Sequence, residues 1–195
     1  FHLQYADPGS GPATLAGKFP AADETSRGTA AAFGLYAKEV GFYRELREHL
    51  AVRAPLTLAA EIADNGVDFI LLFEDLGPAR GGNQLASCSI EDARHGIRQA
   101  AAVHAPGWNN PALTDLPWLQ PKEGQGEQIK ALYGNAQAIF RERYSESLEP
   151  EFMAICEVLN EAKDAWFGRD GGPRGIVHGD FRLDNTVLHA TRPGR

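Results

Sequence analysis

Cysteine and long apolar runs are scarce in this chain of 195 residues. Its two cysteines, Cys88 and Cys156, are too few for a disulfide scaffold or a zinc site, so we expect free thiols. No apolar run reaches the roughly 18 residues that a membrane helix needs. The N-terminus has no basic segment followed by an apolar core, so no signal peptide is predicted. We therefore expect a cytoplasmic protein with no membrane partner.

Positive charge is also in short supply. The 19 Lys and Arg residues are outnumbered by 26 Asp and Glu residues, the formal net charge is −7, and no basic block stands out. This balance argues against a nucleic acid or an anionic membrane as the main partner. What is present is an ordinary globular composition, with 43% apolar and 23% charged residues. The length suits one domain or two small lobes.

A short polar loop near the C-terminus carries the strongest functional signal. Residues 176–177 are β-branched and apolar, and residues 186–188 form a second short run, which predicts strand, tight loop, strand. Between them, Asp180 supplies a carboxylate and Asn185 supplies a carboxamide. Phosphoryl transfer needs this pair, because an acid takes the proton of the acceptor hydroxyl and a neutral oxygen holds Mg²⁺. The alternative is an ordinary polar turn between two strands.

The spacing within this loop resembles a kinase signature. From His178 to Asn185 it reads H-G-D-x-x-x-x-N, where protein kinases have H-R-D-x-x-x-x-N. Upstream, residues 13–19 alternate and then meet a proline, so we predict a strand that carries Lys18 near its end. Ala16, two positions earlier, matches the kinase V-A-I-K strand, in which the alanine leaves room for adenine and the lysine reaches the phosphates. Most lysines on strands, however, are simply solvated.

A long helix is predicted within Asp23 to Leu50, with a polar entry and a start near Thr29. Glu39 falls in the middle of its apolar stripe, where a carboxylate is costly to bury unless it is paired. Lys18 is the obvious partner, because in kinases a glutamate on this helix pairs with the strand lysine. The alternative is that Glu39 lies at the exposed edge of the stripe and pairs with nothing. The stripe itself consists of Leu35, Tyr36, Phe42, Tyr43, Leu46 and Leu50.

The middle of the chain predicts a β-hairpin, followed by a boundary between a strand-containing part and a mainly helical part. An Asn-Gly pair at positions 65–66 separates two apolar runs, 58–63 and 67–73, which is the strongest short hairpin signal. The second run is almost wholly apolar, so we expect a central strand. A Gly-Pro exit then marks the boundary between two predicted lobes. The N-terminal lobe spans residues 1–77, and the mainly helical C-terminal lobe spans residues 78–195.

Together, Lys18, Glu39, the exit at residues 74–76 and the loop at residues 178–185 make the chain similar to the aminoglycoside phosphotransferase and choline kinase superfamily. Residues 36–46 look closest to its ecdysteroid-kinase-like branch. The resemblance implies an α+β, protein-kinase-like fold with two lobes, a small β-rich N-terminal one and a helical C-terminal one. It also implies ATP and Mg²⁺ as cofactors and a small molecule bearing a hydroxyl group as the acceptor substrate.

The resemblance assigns a role to each matching residue. Asp180 would be the catalytic base, Asn185 would help bind Mg²⁺, and His178 would support the shape of the loop. Lys18 would contact the ATP phosphates, with Glu39 fixing its position. The residues expected around adenine are Ala16, Phe73 and the backbone from Glu74 to Leu76.

Two parts of this family pattern are missing from the chain. A phosphate-covering loop should precede the Lys18 strand, and a second metal-binding aspartate should follow Asn185. We therefore expect a segment of a longer enzyme that lacks both ends and is inactive by itself. The alternative to an ATP-dependent phosphotransferase is a non-catalytic kinase-like module that binds a nucleotide or a partner.

A third reading is a metal-dependent phosphoesterase, which the neighbouring His178 and Asp180 suggest. It ranks lowest, because the remaining histidines show no ligand-like spacing. The acceptor and the oligomeric state cannot be read from the sequence. Four aromatic residues of the predicted helical lobe are expected either to line an acceptor pocket or merely to pack: Trp108, Trp118, Tyr133 and Tyr144.

Overall fold

The computed structural model describes residues 1–168 and 172–188 and shows an α+β protein. The chain forms two compact units: the described parts of Phe1–Leu119 and Arg174–Arg195 make up the first, and those of Gln120–Pro173 the second. The predicted lobe boundary after residue 77 lies inside the first unit, and the two-lobed division stays a prediction. No helix in the described part of the chain has the length and apolarity to cross a membrane. Both cysteines are free, as expected.

The first unit contains a three-stranded antiparallel sheet of order β1-β3-β2. Its strands are β1 (Leu15–Lys18), β2 (Thr57–Ile62) and β3 (Phe69–Glu74). β3 is central, as its apolar sequence predicts, and Leu71 at its middle is fully buried. The register places Ala16 opposite Phe73 and Lys18 opposite Leu71. The sheet therefore sets the two residues predicted to flank adenine side by side.

A tight turn joins β2 and β3, which confirms the predicted hairpin. The Asn65 side-chain oxygen accepts hydrogen bonds from the amides of Val67 and Asp68 at 2.9 and 3.0 Å. Gly66 follows with a φ of +68°, a left-handed conformation that glycine adopts without steric cost. Side-chain capping and glycine together explain why this dipeptide reverses the chain.

Two helices stand where the sequence predicts one. Helix α1 (Glu24–Ala32) and helix α2 (Leu35–Gly41) are separated at Gly34, which has a φ of +62°. Beyond α2 the chain continues as a π-helical turn, Phe42–Leu46, and a short 3₁₀ turn, Arg47–His49. The prediction of a continuous helix is therefore wrong. Apolar periodicity runs through the whole segment, but a periodic pattern does not reveal that a glycine within it takes a left-handed conformation.

Two apolar clusters hold the first unit together. One joins α1, α2 and β3 through Ala30, Tyr36, Val40, Phe69 and Leu71. The other consists of Leu46, Leu50, Val103 and Ile176. It joins the turns that follow α2 to helix α3 (Ile90–Gly107) and to the backbone two positions before the loop at residues 178–185. Since Ile176 is only 7% exposed, this second cluster anchors the backbone that leads into the loop.

The remaining elements are short strands and helices. In the first unit, β4 (Arg80–Gly81) pairs antiparallel with β5 (Val187–Leu188), and a short helix, α4 (Pro111–Thr114), follows α3. In its described part, the second unit contains the helices α5 (Gln125–Tyr144), α6 (Pro150–Glu161) and α7 (Lys163–Phe167).

Candidate functional site

The loop at residues 178–185 is closed by the two residues that its motif singles out. The Asn185 side-chain nitrogen donates to the Asp180 backbone oxygen at 2.9 Å and to Asp180 Oδ2 at 2.8 Å. Because the amide nitrogen makes both bonds to Asp180, the Asn185 carboxamide oxygen is left available as a ligand. A 3₁₀ turn, Leu183–Asn185, produces this arrangement. The structure thus brings the predicted base and the predicted magnesium ligand into contact.

Gly179 and His178 shape the entry to the loop. Gly179 has a φ of +82°, which a residue with a side chain would adopt only with strain. His178 Nδ1 accepts a hydrogen bond from the Asp180 amide at 3.3 Å, and the His178 ring meets Phe181 edge-on at 5.7 Å. These contacts place His178 against the loop backbone, and its supporting role stays a prediction.

Arg182 also contacts the predicted base, and sequence reasoning missed it. Its Nε lies 3.2 Å from Asp180 Oδ1, and its Nη1 lies 3.6 Å from Asp184 Oδ2. Exposed ion pairs of this kind add little stability, so the consequence is geometric: the guanidinium limits the orientations of the Asp180 carboxylate. The alternation of charge in D-F-R-L-D was the available signal, since it sets one arginine two positions from each acid.

Lys18 and Glu39 form a second constellation of the first unit. The Lys18 Nζ donates to Glu39 Oε1 at 2.6 Å, which joins β1 to α2. The Glu39 side chain is 28% exposed, against 53% for Lys18, so the carboxylate is the more enclosed partner. The alternative of an unpaired Glu39 at an exposed edge is therefore wrong. The pair holds an ammonium group at the end of a strand, and its role toward a nucleotide stays a prediction.

Within the described part of the chain, the strand exit at residues 74–76 leaves backbone donors without an acceptor. The Glu74 amide donates to the Leu56 oxygen at 3.0 Å, and the Glu74 carboxylate accepts from the Leu56 amide at 2.8 Å, so both Glu74 groups are engaged. The Leu76 oxygen accepts from the Ala79 amide at 3.0 Å. The Leu76 amide, in contrast, has no acceptor among residues 1–168 and 172–188. This N–H is therefore available to a ligand.

Tyr43 links the Glu39 helix to the strand that is predicted to hold adenine. It lies against Phe73 with ring centroids 4.8 Å apart. Burial, and to a lesser extent the negative charge of Glu39, raises the pKa of the Tyr43 hydroxyl to about 12. The ordinary value is about 10. A neutral phenol is therefore favoured by the folded protein.

This shift predicts a loss of stability at alkaline pH. Below about pH 10 the Tyr43 hydroxyl is neutral in the folded and in the unfolded protein, and its full contribution to the free energy of unfolding is present. Between about pH 10 and 12 it ionises in the unfolded protein first, so this contribution is lost as the pH rises. Tyr43→Phe should remove roughly 2–3 kcal/mol of the decline in unfolding free energy over that interval. Urea unfolding of both proteins at several pH values measures it. Parallel profiles for wild type and variant would contradict the assignment.

The donor set of the loop fits magnesium in part. Mg²⁺ prefers hard oxygen ligands and is usually held by one or two protein groups together with substrate phosphates. The carboxamide oxygen of Asn185 suits one such position. Among the described residues, no group of three His, Cys, Asp or Glu side chains is arranged to hold a metal. One protein ligand of this kind suits a magnesium ion whose other ligands include phosphate oxygens.

Three of the four predicted acceptor-pocket aromatics pack against neighbours. Trp118 packs on the second apolar cluster, Tyr133 meets Phe167 at 5.9 Å, and Tyr144 meets Phe140 at 4.8 Å. Trp108, in contrast, is 58% exposed. Packing accounts for the first three side chains without a ligand.

Comparison with known protein families matches most of this chain to one family model. The model of the phosphotransferase enzyme family, APH, matches residues 26–195. The matched range includes Glu39 and the loop of Asp180 and Asn185, whereas the Lys18 strand precedes it. No curated protein and no solved structure matches the chain.

Proposed function

This chain belongs to the phosphotransferase enzyme family, and we propose that it moves the γ-phosphoryl group of ATP onto a hydroxyl group of a small molecule. The observation that carries the proposal is the 2.8 Å contact of Asn185 with Asp180 inside an H-G-D-x-x-x-x-N loop. The 2.6 Å pair of Lys18 and Glu39 in the same unit supports it. Catalysis of phosphoryl transfer is mainly positioning and electrostatics, so side chains that are already fixed suit this chemistry.

The residues of the loop have separate roles in phosphoryl transfer. Asp180, held by Asn185 and Arg182, accepts a hydrogen bond from the acceptor hydroxyl and takes its proton as the new O–P bond forms. The bond from the γ-phosphorus to the bridging oxygen breaks, and ADP leaves. The Asn185 carboxamide oxygen would hold magnesium, which when bound neutralises charge on the phosphates.

The sheet side of the site binds the nucleotide. The Lys18 ammonium, fixed by Glu39, contacts phosphate oxygens and stabilises their negative charge. The Leu76 amide donates to the adenine edge, while Ala16 and Phe73 flank the ring. Their pairing across β1 and β3 supports this placement.

We also propose the kinase-like division into two lobes, residues 1–77 and 78–195, and a cytoplasmic location, where ATP is available. The similarity of residues 36–46 supports an ecdysteroid-kinase-like relationship. The charge of −7 fits a substrate other than nucleic acid.

The experiment that tests this function is an acceptor screen. Full-length protein is incubated with ATP, Mg²⁺ and one class of hydroxylated metabolite at a time: amino sugars, amino alcohols, sterols and simple polyols. We expect one class to raise ADP release clearly above the rate without acceptor, and chelation of Mg²⁺ to abolish the increase. If the protein bound ATP but no metabolite class raised ADP release, the alternative of a non-catalytic kinase-like binding module would be favoured.

A further inference from the structure

A short segment that precedes helix α3 is bound to the end of the loop at residues 178–185. We call residues 80–84 the clamp segment. Its first two residues pair with β5, which begins two positions after Asn185, and the Gly82 amide donates to the intervening Thr186 oxygen at 3.0 Å. The clamp segment thus extends the β4–β5 pairing to the end of the 3₁₀ turn that contains Asn185.

Gln84 completes the attachment with a reciprocal pair of hydrogen bonds. Its backbone amide donates to Asp184 Oδ1 at 2.9 Å. Its side-chain oxygen accepts from the Leu183 amide at 3.1 Å. Both partners belong to the 3₁₀ turn that ends in Asn185. The orientation of this turn is therefore set by a residue about a hundred positions away in sequence.

Gly82 makes this close approach possible. A Cβ at position 82 would lie 2.2 Å from the Leu183 oxygen and 3.0 Å from Thr186 Oγ1, the first of which is shorter than any real contact of that kind. The Leu183 oxygen also accepts from Thr186 Oγ1 at 2.7 Å. Backbone meets backbone here, so any side chain at position 82 would have to displace the turn.

We propose that Gln84 is a positioning residue for phosphoryl transfer. It fixes the Leu183–Asn185 turn, and through that turn it fixes the Asn185 amide against Asp180. The hydrogen bonds of Gln84 go to Leu183 and Asp184 and not to these two side chains, so its effect passes through the backbone of the loop. The proposal rests on the proposed function, because it assigns Asp180 and Asn185 to the reaction.

The test uses two matched glutamine-to-methionine variants. Gln84→Met keeps the length of the side chain but removes the oxygen that the Leu183 amide needs. Gln99→Met is the control, because the Gln99 side-chain oxygen accepts from a distant backbone amide, that of Arg53, at 2.8 Å and lies outside the clamp segment. We expect Gln84→Met to lower kcat about tenfold with little change in KM for ATP, and Gln99→Met to leave kcat unchanged.

A conservative variant and a second measurement separate positioning from general damage. Gln84→Glu retains an acceptor oxygen and should recover most of the lost kcat. Hydrogen–deuterium exchange of nucleotide-free protein should show faster exchange of the Leu183 amide in Gln84→Met, and wild-type exchange in Gln99→Met.

The outcomes distinguish the two claims. An active wild type together with wild-type kcat in Gln84→Met would overturn the positioning role and leave the proposed function standing. The positioning role would also be overturned if Gln84→Glu lost as much kcat as Gln84→Met. The same holds if the control Gln99→Met lost as much kcat as Gln84→Met. A wild type that forms no ADP with ATP and any acceptor class would refute the proposed function, and the positioning role would fall with it.

Discussion

Replacing Asp180 with asparagine is expected to lower kcat about a thousandfold, while ATP affinity changes little. In the wild-type protein the Asn185 amide donates to Asp180 Oδ2 at 2.8 Å. The substituted side chain has the same shape and still offers an oxygen to this amide. It cannot take a proton from the acceptor hydroxyl. Steady-state ADP release with the acceptor found by screening measures kcat, and calorimetric titration with a non-hydrolysable ATP analogue measures affinity.

Asp115→Asn is the matched control for this variant. Asp115 Oδ1 pairs with Arg174 Nη1 at 2.8 Å, and both side chains are more than half exposed, so the substitution also removes an aspartate from an arginine pair. Its kcat should equal that of the wild type. A kcat near the wild-type value in Asp180→Asn would remove Asp180 from the role of base. Equal losses in the two variants would point to damaged folding instead.

Lys18→Met should have the second-largest effect, a fall in kcat/KM for ATP of about a hundredfold or more. The reason is that the ammonium group held by Glu39 at 2.6 Å would no longer meet the phosphates. Glu39→Gln should cost less, because the neutral amide still accepts a hydrogen bond and the ammonium group remains. Initial rates over a range of ATP concentrations measure both variants.

Lys130→Met provides the comparison for Lys18→Met. Lys130 Nζ pairs with Glu127 at 2.9 Å on helix α5 of the second unit, so this variant breaks a lysine–glutamate pair of similar length. ATP kinetics should be unaffected. An unchanged kcat/KM for ATP in Lys18→Met would contradict the nucleotide-binding role, and so would an equal loss of kcat/KM in Lys130→Met.

The parts of the fold that sequence predicts correctly depend on local chemistry. The turn at Asn65-Gly66 follows from a side chain that caps backbone amides and a glycine that accepts a left-handed φ. The central place of β3 follows from its almost unbroken apolar character. The pairing of Glu39 with Lys18 follows from the cost of leaving a carboxylate unpaired on an apolar helix face.

The parts that sequence misses depend on backbone angles and distant contacts. The break between α1 and α2 is set by the φ of Gly34, which leaves the apolar period intact. The bonds of Gln84 to the 183–184 turn join residues far apart in the chain, and no periodicity encodes them. The engagement of Glu74 with Leu56 likewise escapes a motif that describes only the strand exit.

The central claim is that the ammonium of Lys18 faces the phosphates of bound ATP, and chemical labelling tests it most directly. In an acyl-phosphate derivative of ATP, a lysine beside the phosphates attacks the acyl carbonyl, an amide forms and ATP leaves. Mass spectrometry of the labelled full-length protein should find the acyl group on Lys18 and not on Lys38, which neighbours Glu39 in sequence, and excess ATP should suppress it. Labelling that spares Lys18, or that excess ATP does not suppress, would contradict the account.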